Sequence, residues 1–179
     1  MKVLLTGDLH LGRCSARIPE RVPLDRVRAE GAWQRIVDLA LRERVTAVLL
    51  SGDVADRDNG FFEAIGPLQR GLRTLAAAGI RTVAVAGNHD HEVLGRLADE
   101  LPDDAFHLLG RGGHWERLTL TLPSEGRPML HLDGLSFPSR HVTASPLDRY
   151  KDTLAASVDG CPVLGMVHGD LDNAVSRYG

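Results

Sequence analysis

The chain has 179 residues, of which 43% are hydrophobic and 25% charged, and its formal net charge at pH 7 is −3. These values are typical of a single globular domain and argue against a disordered chain or one that coats nucleic acid over its whole surface. The apolar stretch at the N-terminus ends before Asp8. It is too short for a signal peptide, and no later run is long enough to span a membrane. The sequence therefore predicts a cytoplasmic protein with no membrane partner.

The first half of the chain alternates between short apolar strands and amphipathic helices. Strands are predicted at Lys2–Thr6, Ala47–Leu50 and Arg81–Ala86. Between them, apolar residues recur at helical spacing in two stripes, the first at Trp33, Ile36, Val37, Ala40 and Leu41 and the second at Phe61, Ile65, Leu68, Leu72 and Leu75. Gly79 marks the end of the second helix. Strands that alternate with helices in this way predict a parallel sheet with right-handed crossovers.

The second half of the chain has a different pattern. Trp115–Leu122 alternates between polar and apolar residues, and Met129–Phe137 follows after a turn, so these two strands are predicted to form a hairpin. Pro146–Val158 is predicted to be helical, with Pro146 at its first position. Pro162–Val167 is predicted to be a further buried strand. The whole pattern indicates a layered α/β domain with mixed sheets.

Side chains that bind metal ions well follow four of these strands. In chain order they lie in Asp8-Leu9-His10, Gly52-Asp53, Gly87-Asn88-His89-Asp90 and Val167-His168-Gly169. Carboxylate, amide and imidazole groups together suit divalent ions such as Mn²⁺, Fe²⁺ and Zn²⁺. In an extended chain Asp8 and His10 would lie on one face, because the side-chain period of a strand is two. Open α/β sheets usually have their sites at the carboxyl ends of strands, which favours a metal site over a set of structural polar groups.

These motifs resemble those of the calcineurin-like metallophosphoesterases. Asp-x-His, Gly-Asp-x-x-Asp, Gly-Asn-His-Asp and a later His-Gly match four of the five blocks of that family, in the same order. The segment Gly7-Asp8-Leu9-His10-Leu11-Gly12 is most similar to the Mre11/SbcD branch of DNA-repair nucleases. The resemblance implies a metallophosphoesterase fold of mixed sheets sandwiched by helices, with residues 1–179 forming one nuclease-like domain.

The resemblance also implies a role for each motif residue. Two divalent ions would be bound, with Mn²⁺ favoured over Mg²⁺, Fe²⁺ or Zn²⁺, and a hydroxide between them would attack phosphorus. The implied metal ligands are Asp8 and His10 for one ion, Asn88 and His168 for the other, and Asp53 as the bridge. His89 would stabilise the transition state or protonate the leaving oxygen, and Asp90 would orient it.

The sequence departs from the family pattern in two places. The fifth block, Gly-His-x-His, does not occur in these 179 residues, so the domain is expected to be incomplete at its C-terminus. Weak metal binding, little activity and self-association into a homodimer are the corresponding expectations. Asp56 also stands where many members of the branch have His, and it could orient Arg57 or His89 instead.

A cluster of arginines follows the first motif. Five lie between Arg13 and Arg28, and the predicted contacts to substrate phosphate are Arg13, Arg17 and Arg57. The alternative for this arginine cluster is a solvent-exposed loop with no role in binding, which would have the same composition. The leading interpretation is a metal-dependent phosphodiesterase acting on DNA, with an SMC-like ATPase as partner through a region absent from this sequence. The alternatives are a phosphatase or small-nucleotide phosphodiesterase of the same superfamily, and a non-catalytic scaffold that keeps part of the metal site.

Overall fold

The computed structural model describes residues 1–13, 28–121, 126–150 and 160–169, with residues 57–63 described at the level of the backbone. Within these ranges the chain forms seven strands in two sheets and three α-helices. The predicted α/β class with parallel and mixed sheets is confirmed.

A parallel sheet contains the first four strands. They are β1 (Val3–Thr6), β2 (Ala47–Ser51), β3 (Arg81–Val85) and β4 (Phe106–Leu108), and their spatial order is the same as their order in the chain. Each neighbouring pair is parallel. The first three strands were predicted, whereas β4 was not, because three residues are too few to show a periodic pattern.

Three helices connect these strands and cover one face of the parallel sheet. They are α1 (Ala29–Glu43), α2 (Arg57–Ala77) and α3 (His91–Glu100). Residues that form the core on this face include Val37, Val48, Leu50, Leu68, Leu72, Ala84, Leu94 and Leu97. In the described ranges none of the helices is long and apolar enough to cross a membrane.

The apolar stripes predicted for the first two helices face this core, apart from Phe61, whose side chain lies outside the described residues. Trp33, Val37 and Ala40 of α1 are buried, as are Leu68, Leu72 and Leu75 of α2. The helices pack closely at Gly71, where an added Cβ would lie 2.3 Å from the Trp33 indole nitrogen. Gly79 has a φ of 73° and follows the end of α2, as its position in the sequence predicts.

The second sheet is mixed and lies against the other face of the parallel sheet. It consists of β5 (Glu116–Thr121), β6 (Pro128–Leu135) and β7 (Val163–Val167). β5 and β6 are antiparallel, as the predicted hairpin requires, and β7 runs parallel to β6. The core between the two sheets contains Ala47, Leu49, Val83, Val85, Leu109, Leu120, Leu132 and Met166.

Two helical segments differ from the sequence prediction. α3 was not predicted, although Val93, Leu94 and Leu97 are buried at helical spacing. The helix predicted at Pro146–Val158 begins as a 3-10 helix over Pro146–Arg149, and residues 151–159 lie outside the described ranges. Pro146 stands at its start, as expected.

The alignment of the parallel strands determines where the motif residues meet. Thr6 pairs with Leu50, and Ser51 pairs with Val85, so the loops after β1, β2 and β3 leave the sheet at one edge. All the motifs predicted to hold metal in the first half of the chain lie in these three loops.

Candidate metal centre

The loop after β1 and the loop after β2 are hydrogen-bonded to each other beyond the ends of their strands. The Asp8 amide donates to the Gly52 carbonyl and the His10 amide to the Asp53 carbonyl, each at 3.0 Å. Asp8, His10 and Asp53 all have positive φ values, of 53°, 47° and 49°. The prediction that Asp8 and His10 share a face of an extended chain is therefore wrong, because both residues adopt left-handed backbone conformations. Such conformations cost roughly 1–3 kcal/mol each and are concentrated at functional sites.

This strained backbone brings three potential metal ligands together. One ligand atom from each of Asp8, His10 and Asp53 lies within 4.8 Å of the others. Asp8 is exposed, His10 is half-buried and Asp53 is buried, so the group opens to solvent on the Asp8 side. This arrangement can hold a divalent ion that a substrate reaches from solvent.

Asp53 lies at the middle of the group and contacts residues from three loops. Its Oδ1 accepts a hydrogen bond from the His89 amide at 3.1 Å. Its Oδ2 lies 3.4 Å from His168 Nε2 and 3.9 Å from His10 Nε2. Burial acts to raise the pKa of Asp53, but the hydrogen bonds from His168 and from the His89 amide outweigh it and lower the pKa.

His168 joins the group from β7, in the other sheet. Its Nδ1 lies 3.2 Å from the Ser51 carbonyl oxygen, and its ring contacts the Phe137 ring edge-on with centroids 5.8 Å apart. The hydrogen bond to Asp53 is the largest of the effects that raise the pKa of His168 to about 9. Because the carbonyl engages Nδ1, Nε2 points toward Asp53 and is the nitrogen that can ligate an ion.

Two glycines permit this close approach. A Cβ on Gly52, where φ is 92°, would lie 2.6 Å from His168 Nδ1. A Cβ on Gly87 would lie 2.2 Å from Asp53 Oδ1 and 2.8 Å from His168 Cδ2. Any larger residue at either position would displace a potential metal ligand.

Asn88 lies in the turn after β3 and is half-buried. Hydrogen bonds on both sides of it fix the backbone, because the Gly87 amide donates to Asp90 Oδ1 and the His89 amide donates to Asp53 Oδ1. The turn is therefore attached directly to the Asp53 carboxylate.

Asp90 is fully buried, and its carboxylate accepts hydrogen bonds from two loops. Its Oδ2 accepts a hydrogen bond from the Val54 amide and its Oδ1 one from the Gly87 amide, both at 2.7 Å. Burial raises its pKa to about 6, although these two hydrogen bonds act in the opposite direction. The carboxylate joins the loops after β2 and β3. Its role in orienting the His89 ring stays a prediction.

The carboxylate near the His89 ring belongs to Asp56. Asp56 Oδ1 lies 3.8 Å from His89 Nδ1, and Asp56 Oδ2 lies 3.8 Å from His10 Nδ1. His10 and His89 contact each other edge-on, with ring centroids 5.1 Å apart. Asp56, His10 and His89 form a second group whose ligand atoms lie within 4.8 Å of one another. The alternative that Asp56 orients His89 therefore agrees with the geometry.

The arginines predicted to bind substrate are only partly covered by the structure. Arg13 is exposed, and its Nε lies 3.8 Å from Asp56 Oδ2, at the edge of the group. Arg17 lies outside the described residues, and Arg57 begins α2 with its side chain undescribed. Ser51 and Phe137, which hold His168, were not anticipated. The Ser51 contact is made by the backbone and leaves no signal in the sequence, and Phe137 was interpreted only as the end of a strand.

The donor set fits a divalent metal ion. Asp8, His10 and Asp53 bring two carboxylates and an imidazole together, and Asp53 also faces the imidazole of His168. The group also contains a buried nitrogen, His10 Nδ1, with no hydrogen-bond partner among the described residues. Oxygen and imidazole donors suit Mn²⁺, Fe²⁺ and Zn²⁺.

Comparisons with known proteins agree with this chemistry. The calcineurin-like phosphoesterase family profile matches residues 1–173. The chain is 28% identical to the uncharacterized metallophosphoesterase YhaO of Bacillus subtilis over 141 residues, which are 79% of this chain and 33% of that protein. It is 37% identical to the DNA double-strand break repair protein Mre11 of Haloferax volcanii over 99 residues, which are 55% of this chain and 21% of that protein.

One solved structure is also similar to the chain. It is the crystal structure of a dimetal phosphatase from Danio rerio, with a TM-score of 0.47 and 17% identity, and the match covers 82% of this chain and 49% of that one. The chain spans a third or less of the length of the two curated relatives.

Proposed function

We propose that this chain, which belongs to the calcineurin-like phosphoesterase family, is a metal-dependent phosphodiesterase that acts on DNA. The main support is the position of Asp53, whose Oδ2 lies 3.9 Å from His10 Nε2 and 3.4 Å from His168 Nε2. A carboxylate oxygen close to a potential ligand of each proposed ion is suited to bridging the two ions, as the two-metal mechanism of phosphoryl transfer requires.

In this proposal the chain holds two divalent ions. The ligands would be Asp8, His10 and Asp53 for one ion, and Asp53, Asn88 and His168 for the other. Bound ions of this kind supply the positive charge that activates water and offsets the charge that develops on the phosphoryl oxygens. Strained loops and fixed hydrogen bonds would hold the ligand side chains in place, so these side chains would need little rearrangement when ions bind.

His89 is proposed to act as the general acid. Its ring lies beside the ligand group, in contact with His10, and Asp56 lies 3.8 Å from its Nδ1. Because Asp56 lies beside Nδ1, Nε2 is the ring nitrogen left to face the substrate. Nε2–H would then donate its proton to the leaving oxygen as the P–O bond breaks.

DNA as the substrate is supported by two observations. The first is the similarity to Mre11 of Haloferax volcanii, a protein named for DNA double-strand break repair. The second is Arg13, an exposed cation at the edge of the ligand group. Its charge suits contact with the DNA phosphate adjacent to the one that is hydrolysed. An SMC-like ATPase partner and a cytoplasmic location follow from the same proposal.

The test compares substrates that separate this function from its alternatives. Linear DNA, bis-p-nitrophenyl phosphate and p-nitrophenyl phosphate are each incubated with the protein in Mn²⁺, Mg²⁺, Fe²⁺ or Zn²⁺, and in a chelator. Asp8→Asn removes one proposed ligand, and Asp148→Asn is its matched control because Asp148 is exposed in the 3-10 helix.

The proposal expects cleavage of DNA and of the diester, abolished by the chelator and by Asp8→Asn but not by Asp148→Asn. Faster hydrolysis of the monoester p-nitrophenyl phosphate would favour a phosphatase. Cleavage of the small diester without cleavage of DNA would favour a small-nucleotide phosphodiesterase. Metal binding without turnover on any substrate would indicate a non-catalytic scaffold.

A further inference from the structure

An open cavity of about 360 Å³ lies beside the metal centre, between α3 and the ends of β3 and β6. The two share a wall, because Phe137 lines the cavity while its ring contacts the His168 ring. Ala86, which also lines the cavity, directly precedes Gly87 at the metal centre. A molecule with its phosphate at the metal centre therefore has this cavity as the adjoining space.

The cavity wall includes a guanidinium group held in a fixed plane. Arg111 donates two parallel hydrogen bonds to Asp99, Nη1 to Oδ1 at 2.6 Å and Nη2 to Oδ2 at 3.0 Å. A paired guanidinium of this kind is planar and weakly hydrated, and it can stack on an aromatic ring. Gly95 on α3 also lines the cavity next to this group, since a Cβ at this position would lie 3.6 Å from Arg111 Nη2.

The charges that line the cavity argue for a neutral ligand. Arg96 and Arg111 are balanced by Glu92 and Asp99. Phe137 and Pro138 add apolar surface. The volume is at the lower end of the range for small-molecule pockets, roughly 300–1,000 Å³. A lining of this kind suits a planar, neutral heterocycle better than a phosphate or an aliphatic chain.

We propose that this cavity binds a nucleobase, stacked on Arg111, of a nucleotide whose phosphate occupies the metal centre. The inference rests on the proposed function for the position of the phosphate. The base site itself rests on the cavity and its lining. It would make Arg111 and Gly95 determinants of the preference for nucleotides over simple aryl phosphodiesters.

The test measures binding without metal and without turnover, so that it can be separated from the proposed function. Deoxyadenosine, which has no phosphate, is titrated into the metal-free protein by isothermal calorimetry, with inorganic phosphate as competitor. Gly95→Leu fills the cavity. Gly66→Ala on α2, outside the cavity lining, is the control, because its Cβ would lie 3.4 Å from the end of the flexible Arg70 side chain.

Deoxyadenosine is expected to bind the unchanged protein and Gly66→Ala equally, and to bind Gly95→Leu at least ~5-fold more weakly, which is the lower end of what base stacking contributes. Arg111→Met, at an exposed position, provides a second variant that removes the stacking surface without filling the cavity. It should weaken binding as well, and thermal unfolding checks that both variants are folded.

Three results would overturn the inference: no binding of deoxyadenosine to the unchanged protein, equal binding by Gly95→Leu and Arg111→Met, or displacement of deoxyadenosine by inorganic phosphate. Failure of the proposed function has a different result, namely no hydrolysis of any phosphoester while deoxyadenosine binding and its loss in the variants persist.

Discussion

The two sheets contribute to the metal centre in different ways. The parallel sheet supplies three loops whose amides and carboxylates are bonded to one another, and three of their residues have strained backbones. The mixed sheet supplies His168, which is held in place by the Ser51 carbonyl and the Phe137 ring. The parallel half is therefore fixed by local backbone geometry, and the mixed half by packing between sheets. Substitutions in the two halves should therefore have different consequences.

The largest effect is expected at Asp53, where the two halves meet. Asp53→Asn removes the charge that faces both His10 and His168, so neither ion keeps its shared ligand. Hydrolysis should fall by at least ~10³-fold, and calorimetric titration with Mn²⁺ should show fewer or weaker sites. Asp38→Asn is the matched control, because Asp38 is exposed on α1 and only accepts a hydrogen bond from Gln34. Unchanged metal binding by Asp53→Asn would contradict its role as a ligand.

A smaller effect that separates chemistry from metal binding is expected at His89. His89→Ala should lower kcat by roughly 10²–10⁴-fold, the usual contribution of a general acid, while Mn²⁺ affinity stays close to that of the unchanged protein. His114→Ala, at an exposed position, is the control. Equal loss of metal by His89→Ala would show that His89 is a ligand, as its place in the group with His10 and Asp56 would allow.

Sequence reasoning anticipated the parallel half better than the mixed half, and the physical reason is local. β1, β2 and β3 are apolar runs that end in short motifs, so the sequence itself marks where each loop with potential ligands leaves the sheet. The extended backbone predicted at Asp8 and His10 was still wrong. Both residues have positive φ values, and their amides donate hydrogen bonds to the loop after β2. No pattern within the first motif contains that information.

The contacts around Asp56 and Asp90 could not be predicted for a related reason. Both carboxylates are buried, and only their partners distinguish them. Asp90 lies next to His89 in the sequence but accepts hydrogen bonds from Val54 and Gly87, whereas Asp56, on another loop, lies beside the ring. Which carboxylate orients a histidine depends on how the loops cross, and that is a tertiary property.

A substitution at Gly87 tests how rigidly the parallel half is built. Gly87→Ala places a Cβ 2.2 Å from Asp53 Oδ1 and forces the carboxylate to move. Because a misplacement of about 1 Å can cost on the order of 10²-fold in rate, activity should fall by about 10- to 100-fold. Gly66→Ala on α2 is the control, since its Cβ would lie 3.4 Å from the end of the flexible Arg70 side chain. Full activity of Gly87→Ala would show that the loops can relax.

The smallest effect on the metal centre is expected in the mixed sheet, at Asp133. Its side chain is fully buried and accepts hydrogen bonds from Arg117 Nε and Nη2, both at 2.6 Å, and from the Tyr150 hydroxyl at 2.7 Å. Burial acts to raise the pKa of Asp133, but these hydrogen bonds outweigh it and lower the pKa below 3.8. A carboxyl group whose pKa is lower in the folded state than in the unfolded state stabilises the fold at pH values above its unfolded-state pKa. This contribution is lost as the pH falls through the folded-state pKa.

Asp133→Asn should therefore lower the free energy of unfolding at pH 7 by about 1–3 kcal/mol, because the Arg117 charge loses its partner. Urea denaturation from pH 7 down to 3 should show the unchanged protein losing more stability below about pH 4 than the variant, as expected when the lowered pKa of Asp133 is removed. Asp148→Asn, at an exposed position, is the control. Mn²⁺ affinity at pH 7 should be the same in all three proteins, because the three loops of the parallel half are not attached to Asp133. A parallel loss of metal affinity in Asp133→Asn would instead show that the packing of the mixed sheet determines the position of His168 closely enough to control the whole centre.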